Sequence, residues 1–378
     1  MQVQDKPQKQ SVNFVYYWGN TDRSLAWSGT PWGLFNAFKN CVVLNDIPLK
    51  YHTTVFNLLI RRFIKFNDFN IGFTKKCQKQ INSTSVKEGP ILMFTEFNTD
   101  FLERSYMYQD LTVDYLCRLK ESNSDLLKYT PLTPDIKNIF VNYRRKTTRY
   151  VNEGCKGIFT MSKWLADDLI DSGIDSFKVH HVGGGCNIDT SLIDTSRKNG
   201  DKFLFIGKQW ELKNGPLVVQ AFCNLLKSGR KVHLYIAGPQ QCPKDISEIN
   251  PSFRDNIHFL GRISYSDVAK YMNICDYFVM PSKFEAYGLA FVEALVFGLP
   301  CIAKNAFAMP EFITNNKNGF LINEDDADEL TECMDKMLYS SSIIEKVKND
   351  REIYIKQYSW DSVVKRITDV FIADGFIV

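Results

Sequence analysis

The chain has 378 residues, more than one hydrophobic core usually serves, so its length predicts two domains. Hydrophobic residues make up 44% and charged residues 24%, which are ordinary values for a globular protein. The formal net charge of +3 is too small to indicate a nucleic-acid partner, although it is compatible with a small anionic ligand.

The ten cysteines are scattered, with no C-x-x-C pair and no Cys/His cluster at zinc spacing. This pattern predicts a reducing, cytoplasmic environment and no bound metal. The polar start MQVQDKPQKQ lacks the apolar stretch of a signal peptide, and we expect residues 1–11 to form a loose arm. The sequence contains no window of 18 apolar residues, so no transmembrane helix is predicted.

The first half of the chain alternates apolar runs with loops and helices, as α/β domains do. Strands are predicted at residues 12–18, 42–48, 91–95, 157–162 and 178–182. Residues 101–155 are predicted to be mainly helical. Ser162 is placed to cap a helix over 164–171.

The loop at residues 19–33 is long and rich in Gly, Ser, Thr and Trp, and a helix is predicted at 34–38. It is either a plain connection or, because ligands bind where strands give way to helices in α/β sheets, a ligand-binding loop. Gly29 is the candidate residue, with Ser28 and Thr30 beside it. Farther along, Glu96, Asn98 and Asp100 follow the strand at 91–95, at the same kind of position.

Residues 51–66 mix Phe, Leu and Ile with Arg61, Arg62 and Lys65. Such a segment is either a domain helix with a solvated basic edge or a surface that contacts membrane lipid. The basic run at 143–149 is interpreted as a solvated helix face rather than a partner site.

The second half begins with a polar linker at residues 187–200 and a strand at 203–206. Lys208 and Lys213 occupy the following loop, and a helix is predicted at 217–226. The two lysines are either solvated or positioned to bind a diphosphate. Further strands are predicted at 232–238 and 257–260, with a helix at 267–273.

The most informative stretch is DYFVMPSKFEAYGLAFVEALVFGLPCIA, residues 276–303. It predicts a strand, a loop, an apolar helix from Gly288 and a second strand. Glu285 precedes that helix and Glu293 lies in its second turn, where an unpaired carboxylate would be costly. Either both acids form buried salt bridges, or both face a polar ligand near the helix N-terminus, which suits a phosphate.

Glu285 and Glu293, eight residues apart within P-S-x-x-E-A-Y-G-L-A-F-V-E-A-L-x-x-G-L-P, resemble the E-x7-E signature of family 4 retaining glycosyltransferases of the GT-B fold. The resemblance implies two Rossmann-like α/β domains that face an interdomain cleft. An acceptor-side domain would span 1–190, joined by a C-terminal helix at about 358–378. A donor-binding domain would span 200–357.

The resemblance also implies roles for individual residues. Glu285 would contact the donor sugar, Glu293 the ribose diol, and Lys208 and Lys213 the donor diphosphate. The chain departs from the family's G-R-x5-K-G pattern at two positions, because Lys208 replaces the Arg and Asn214 is inserted before the second Gly. Glu285, Lys213 and Lys208 are the implied catalytic residues. The remaining implied donor-binding residues are Gly29, Gly207, Gly261, Arg262, Ile263, Ala286, Tyr287, Gly288 and Leu289.

The implied activity is transfer of a hexose, with mannose as the best choice, from a GDP- or UDP-linked donor to a hydroxyl of a glycan, lipid or protein-linked acceptor. The configuration at the anomeric carbon would be retained, and neither a cofactor nor a metal would be needed. The family's acceptor-side His is missing, with Glu96 or Asn98 as replacements. The D-x-D within residues 324–328 is interpreted as a helix cap rather than a metal site. A homodimer and a peripheral membrane contact stay open.

Two other classes of protein compete with this interpretation. A catalytically inactive sugar-nucleotide-binding protein is favoured by the missing His. An NAD-dependent oxidoreductase is disfavoured because the chain lacks G-x-G-x-x-G after a strand.

Overall fold

The computed structural model describes residues 11–19, 22–51, 69–130, 132, 136–196, 200–239 and 250–377. These residues form two compact units. Unit 1 contains the described residues up to Gly184 and the helix that begins at Trp360, and unit 2 runs from Gly185 to Ser359. The loose arm predicted at the start and most of the segment considered for membrane contact lie outside the described residues.

Unit 1 contains a parallel six-stranded sheet in the order β2-β1-β3-β4-β5-β6. Its strands are β1 (Ser11–Tyr16), β2 (Val43–Pro48), β3 (Ile91–Met93), β4 (Ser105–Gln109), β5 (Gly157–Thr160) and β6 (Val179–His181). Its helices before the linker are α1 (Thr30–Cys41), α2 (Ile71–Ser83), α3 (Val113–Glu121), α4 (Asn138–Gly154) and α5 (Lys163–Asp171). Strands β3, β4 and β5 are buried along their whole length, as expected where a parallel sheet is covered on both faces.

Two local predictions for unit 1 are wrong. Residues 105–109 form the buried strand β4, although the surrounding region was predicted to be helical. The run SYMYQ is short and polar at both ends, so its periodicity does not distinguish a strand from a helical turn. Helix α1 begins at Thr30 rather than at residue 34, with Pro31 in its first turn, where proline is well tolerated. The predicted Ser162 cap is confirmed, since its Oγ accepts from the N–H of Leu165 at 3.2 Å.

Unit 2 contains a second parallel six-stranded sheet in the order β12-β11-β10-β7-β8-β9. Its strands are β7 (Lys202–Ile206), β8 (His233–Ala237), β9 (Ile257–Gly261), β10 (Tyr277–Val279), β11 (Cys301–Lys304) and β12 (Gly319–Ile322). Its helices are α6 (Gly215–Lys227), α7 (Tyr265–Ile274), α8 (Leu289–Val296), α9 (Met309–Phe312), α10 (Ala327–Leu338), α11 (Ser341–Asn349) and α12 (Arg351–Gln357). The predicted α/β class is confirmed by both sheets.

The last helix, α13 (Trp360–Ala373), packs on unit 1. Gly33 allows this contact, because a Cβ at that position would lie 2.2 Å from the indole nitrogen of Trp360. Tyr106 donates a hydrogen bond to Asp374 at 2.5 Å, and Arg366 donates to the carbonyl of Val182 at 2.6 Å. Across the described residues, no helix is both long enough and apolar enough to cross a membrane.

Candidate functional site

The sheet of unit 2 has a point where the strand order reverses. The chain runs from β7 outward to β8 and β9, and it then returns to place β10 on the other side of β7. The loops that leave β7 and β10 therefore diverge at the carboxyl edge of the sheet, the usual ligand position in open α/β sheets. The backbone N–H of Lys283 donates to the carbonyl of Leu212 at 2.9 Å, which fixes the two loops together.

Lys213 and Glu285 form an ion pair across these two loops. Their side chains are 19% and 12% exposed, so the pair is largely, but not fully, shielded from solvent. The hydroxyl of Ser282 donates to the same carboxylate oxygen at 3.4 Å. For Glu285, the structure thus shows the salt bridge that the sequence left as one of two explanations. An ammonium has three donors, so Lys213 can hold a further oxygen beside Glu285.

Two glycines allow the loop after β7 to approach its neighbours. A Cβ on Gly207 would lie 2.8 Å from the Cβ of Lys213. A Cβ on Gly238, whose φ is +140°, would lie 2.0 Å from the carbonyl oxygen of Gly207. Any side chain at either position would displace the loop that carries Lys213.

The two departures from the family pattern have different environments. Lys208 is exposed and forms no ion pair with any described residue, so the structure does not bring it to Glu285. Asn214 is buried and adopts a left-handed conformation at the N-cap of α6. Its side-chain amide donates to Asp325 at 3.0 Å, which gives the inserted residue a role in holding the loop.

Gly288 is the N-cap residue of helix α8, which begins at Leu289 and has no side-chain cap. Gly288 has φ +105°, and a Cβ there would lie 3.2 Å from the Cγ of Glu285, so the glycine lets the carboxylate side chain approach the helix start. Ala286 and Leu289 are half-buried in this turn, and Tyr287 is buried against Phe312 with ring centroids 5.0 Å apart. The uncapped helix start therefore lies next to Glu285.

Glu293 lies in different surroundings from Glu285. It is only 7% exposed and forms no ion pair with a described residue. Burial raises the pKa of its carboxyl to about 8, although the backbone N–H of Asn187 donates to it and acts in the opposite direction. At neutral pH the carboxyl is therefore mainly protonated.

The candidate loop after β9 leads into α7, whose first residue, Tyr265, interacts electrostatically with Glu293. Gly261 has φ +70° and accepts from the N–H of Gly238 at 2.8 Å, while Arg262 is exposed and Ile263 is half-buried. Burial, with a smaller contribution from the charge of Glu293, raises the pKa of Tyr265 to about 12.

Unit 1 has its own point of strand reversal, between β1 and β3. The loop after β1 contains three consecutive residues with positive φ, Trp27, Ser28 and Gly29, immediately before α1. Two of these are not glycine, so the loop holds a conformation that costs free energy. The bend places Trp27 against Phe94 and beside a cavity of about 260 Å³.

A buried polar cluster lines this cavity at the carboxyl ends of β3 and β4. The side-chain amide of Gln109 donates to Glu96 at 2.9 Å, and Arg144 lies 3.7 Å from the other oxygen of the same carboxylate. All three residues are at most 6% exposed. Among the residues that the structure describes, the Gln109 carbonyl oxygen and two nitrogens of Arg144 have no hydrogen-bond partner, so the cluster has unused polar capacity. Glu96 was a candidate from the sequence, but Gln109 and Arg144 were not, because the strand that carries Gln109 was predicted as helix and Arg144 was assigned to a solvated helix face.

The acidic run at residues 324–328 has structural roles. Asp326 is the N-cap of α10 and accepts from the N–H groups of Asp328 and Glu329, as predicted. Asp325 accepts from Lys304 at 2.8 Å as well as from Asn214. Nowhere in the described ranges do three or more His, Cys, Asp or Glu side chains gather in a group that could hold a metal ion.

Residues 192–357 match the protein-family model described as "Glycosyl transferases group 1". The MMP alpha-(1->4)-mannosyltransferase of Mycolicibacterium hassiacum is 26% identical over 243 residues, which are 61% of this chain and 56% of that protein. A protein of the cps region of Klebsiella pneumoniae is 35% identical over 82 residues, 22% of this chain and 23% of the relative. The chain thus aligns with less than two thirds of the length of these relatives.

Solved structures match nearly the whole chain. Sucrose-phosphate synthase from Thermosynechococcus elongatus has a TM-score of 0.68 at 12% identity and covers 97% of this chain and 99% of its own. Anabaena HepE, solved in complex with UDP-glucose, has a TM-score of 0.61 at 14% identity, and the match covers 96% of this chain and 100% of the HepE chain. At such low identity these likenesses establish the fold alone. The chain has the GT-B fold, and its residues 192–357 resemble the glycosyl transferases of group 1.

Proposed function

We propose that the protein is a retaining, metal-independent glycosyltransferase that moves a hexose from a nucleoside-diphosphate sugar to a hydroxyl. The observation that carries the proposal is the Lys213–Glu285 pair beside the uncapped start of α8. This arrangement combines a cation, an anion and bare N–H groups at the carboxyl edge of the sheet. A diphosphate-linked sugar carries the complementary charges and hydroxyls.

In unit 2, the donor diphosphate would contact Lys213, Lys208 and the N–H groups at the start of α8. These groups stabilise the negative charge that develops as the sugar departs. Glu285 would accept hydrogen bonds from the sugar hydroxyls next to the developing positive charge. Glu293 would bind the ribose diol.

Further donor contacts are assigned by position in the same unit. The backbone around Gly261, Arg262 and Ile263 would meet the nucleobase. Gly207 would let a phosphate approach the loop after β7. The candidate Gly29 belongs to unit 1, at the bend that holds Trp27, and we propose that it lies near the reacting sugar.

In unit 1, the acceptor hydroxyl would be received at the cavity that Glu96 and Gln109 line. Glu96 is a hydrogen-bond acceptor oriented by Gln109 and paired with Arg144. The acceptor oxygen attacks the anomeric carbon from the face that the diphosphate leaves. Its proton passes to the departing phosphate, so retention needs no covalent enzyme intermediate.

We favour GDP-mannose as the donor, and relatives of this chain provide the support. Besides the mannosyltransferase of Mycolicibacterium hassiacum, a protein of Corynebacterium glutamicum named as a GDP-mannose-dependent mannosyltransferase is 22% identical over 166 residues. The test is incubation with a panel of GDP- and UDP-sugars, followed by NMR assignment of the anomeric configuration of the product. Slow release of nucleoside diphosphate without an added acceptor would support catalysis. A protein that binds donor but never releases diphosphate would instead be a sugar-nucleotide-binding protein.

A further inference from the structure

A groove of about 940 Å³ lies in unit 1, and helices α2 and α4 contribute most of its described lining. Lys75 and Lys79 come from α2 and Lys146 comes from α4. None of the described lining residues is acidic. All three lysines are exposed, so their ammonium groups face solvent rather than the protein core.

The lysine charges of this groove are uncompensated, whereas the neighbouring arginines of α4 are paired with acidic side chains. On α4, Arg145 pairs with Asp114 at 2.6 Å and Arg149 pairs with Glu153 at 2.8 Å. In the part of the chain that the structure describes, none of the three groove lysines forms an ion pair. Three like charges in one concavity raise the local positive potential and attract anions.

The groove also presents aromatic faces and amides. Tyr143 and Tyr150 are 43% and 58% exposed on α4, and the ammonium of Lys75 lies 5.0 Å from the ring centroid of Tyr143. Asn82 and Asn98 add side-chain amides to the lining. Exposed aromatic rings with interspersed polar groups suit sugar rings, which present both apolar C–H faces and hydroxyls.

The groove and the cavity proposed for the acceptor hydroxyl are each lined by a residue of the same loop. Asn98 lines the groove and Glu96, two residues earlier in the same loop, lines the cavity. The N–H of Asp100 donates to the side chain of Asn82 at 3.3 Å, which ties this loop to α2.

We propose that the groove binds an anionic saccharide, whose phosphate or carboxylate groups contact Lys75, Lys79 and Lys146. The inference rests on the proposed function only in naming this saccharide as the acceptor. A bilayer surface fits less well, because the described lining includes no Leu, Ile, Val, Met, Phe or Trp, whereas interfacial surfaces present a broad face of such side chains. Anionic vesicles are nevertheless a necessary arm of the test.

The test is fluorescence anisotropy with a labelled uronic-acid hexasaccharide, with neutral maltohexaose as the uncharged probe. The wild-type protein should bind the anionic probe, bind it more weakly as salt increases, and ignore maltohexaose. The groove variant, Lys75→Glu/Lys79→Glu/Lys146→Glu, should lose about tenfold or more in affinity, since three charges are reversed. The corresponding Lys→Gln variant should show a smaller loss.

The matched control is Lys227→Glu/Lys231→Glu/Lys270→Glu, which makes the same charge change on exposed lysines of unit 2. If the groove lysines, rather than the net charge of the protein, bind the anionic probe, this control should bind it within about twofold of wild type. The proposal is overturned if wild type binds no anionic saccharide, if both triple variants lose equally, or if only vesicles of anionic phospholipid bind.

The same samples distinguish this proposal from the proposed function. The groove variant should keep wild-type affinity for a sugar nucleotide, because the substituted lysines lie in unit 1. If wild type binds the saccharide at the groove but binds no sugar nucleotide, the proposed function fails and the groove assignment stands. If it binds the sugar nucleotide but no anionic saccharide, the groove assignment fails alone.

Discussion

Lys213 and Glu285, which are 72 residues apart in the sequence, form an ion pair at the point where the strand order of unit 2 reverses. Each side chain comes from the loop that follows one of two adjacent strands, β7 and β10. The pair holds an ammonium in place before a ligand arrives. Such preorganisation lets charge stabilisation act without a reorganisation cost at the moment of reaction.

The first prediction concerns this pair. Lys213→Ala and Glu285→Gln should each lower turnover by about 10² or more, since each removes a charge aimed at the reacting groups. Lys208→Ala should have a smaller effect, because Lys208 is exposed and outside the pair. The readout is the rate of nucleoside diphosphate release at saturating donor, with circular dichroism and thermal melting as controls for folding. Near-normal turnover in either pair variant would refute the assigned roles.

The second prediction concerns stability and pH. The Glu293 pKa is raised by burial from 4.5 to about 8, so on raising the pH the unfolded chain loses this proton first. Between these values the free energy of unfolding should fall by up to about 1.4 kcal/mol per pH unit from this group, and it should be flat below and above the window. Glu293→Gln should remove this component, which denaturant unfolding at a series of pH values would measure as the difference between the two proteins. Parallel curves would show that Glu293 is ionised in the folded protein at neutral pH.

The third prediction links Glu293 to the donor. Two ribose hydroxyls donating to the carboxylate stabilise its ionised form and should lower its pKa. Binding at neutral pH should therefore release up to about one proton, because the free carboxyl is mainly protonated. Calorimetry in buffers of different ionisation enthalpy would count this proton, and Glu293→Gln should release none. Equal proton release by both proteins would place the ribose elsewhere.

The fourth prediction concerns the polar cluster of unit 1. Glu96→Gln and Gln109→Ala should lower transfer to an acceptor by about 10² or more, because they disturb the group that receives the acceptor hydroxyl. Donor affinity should not change, since neither residue is assigned a contact with the donor. Separate measurements of transfer rate and donor binding test this split. A parallel loss of donor affinity would contradict the division of roles between the units.

The sequence predicts all strands of each sheet but one, β4 in unit 1 and β12 in unit 2. In unit 2, β7 to β11 are short apolar runs, and a clear apolar helix follows Gly288, so local patterns suffice for these elements. In unit 1, β4 carries Tyr106 and Tyr108 between polar ends, and its strand character comes from burial between β3 and β5. That burial is a tertiary effect which a window of sequence does not contain.

The candidate site was only partly predictable for the same reason. The two glutamates and the two lysines follow from motif spacing, but the Lys213–Glu285 contact depends on the adjacency of β7 and β10. The different surroundings of Glu285 and Glu293 follow from burial, which spacing does not encode. Arg144 was assigned to a solvated helix face and is in fact 5% exposed beside Glu96, because α4 turns that residue toward the sheet.

The most direct test is calorimetric titration of wild-type protein and Lys213→Ala with GDP-mannose, UDP-glucose and NAD. We predict that wild type binds a sugar nucleotide and not NAD, and that Lys213→Ala loses about tenfold or more in affinity because a charge-assisted contact to phosphate is removed. Absence of sugar-nucleotide binding, binding of NAD, or equal affinity in the variant would contradict the placement of the donor diphosphate at Lys213.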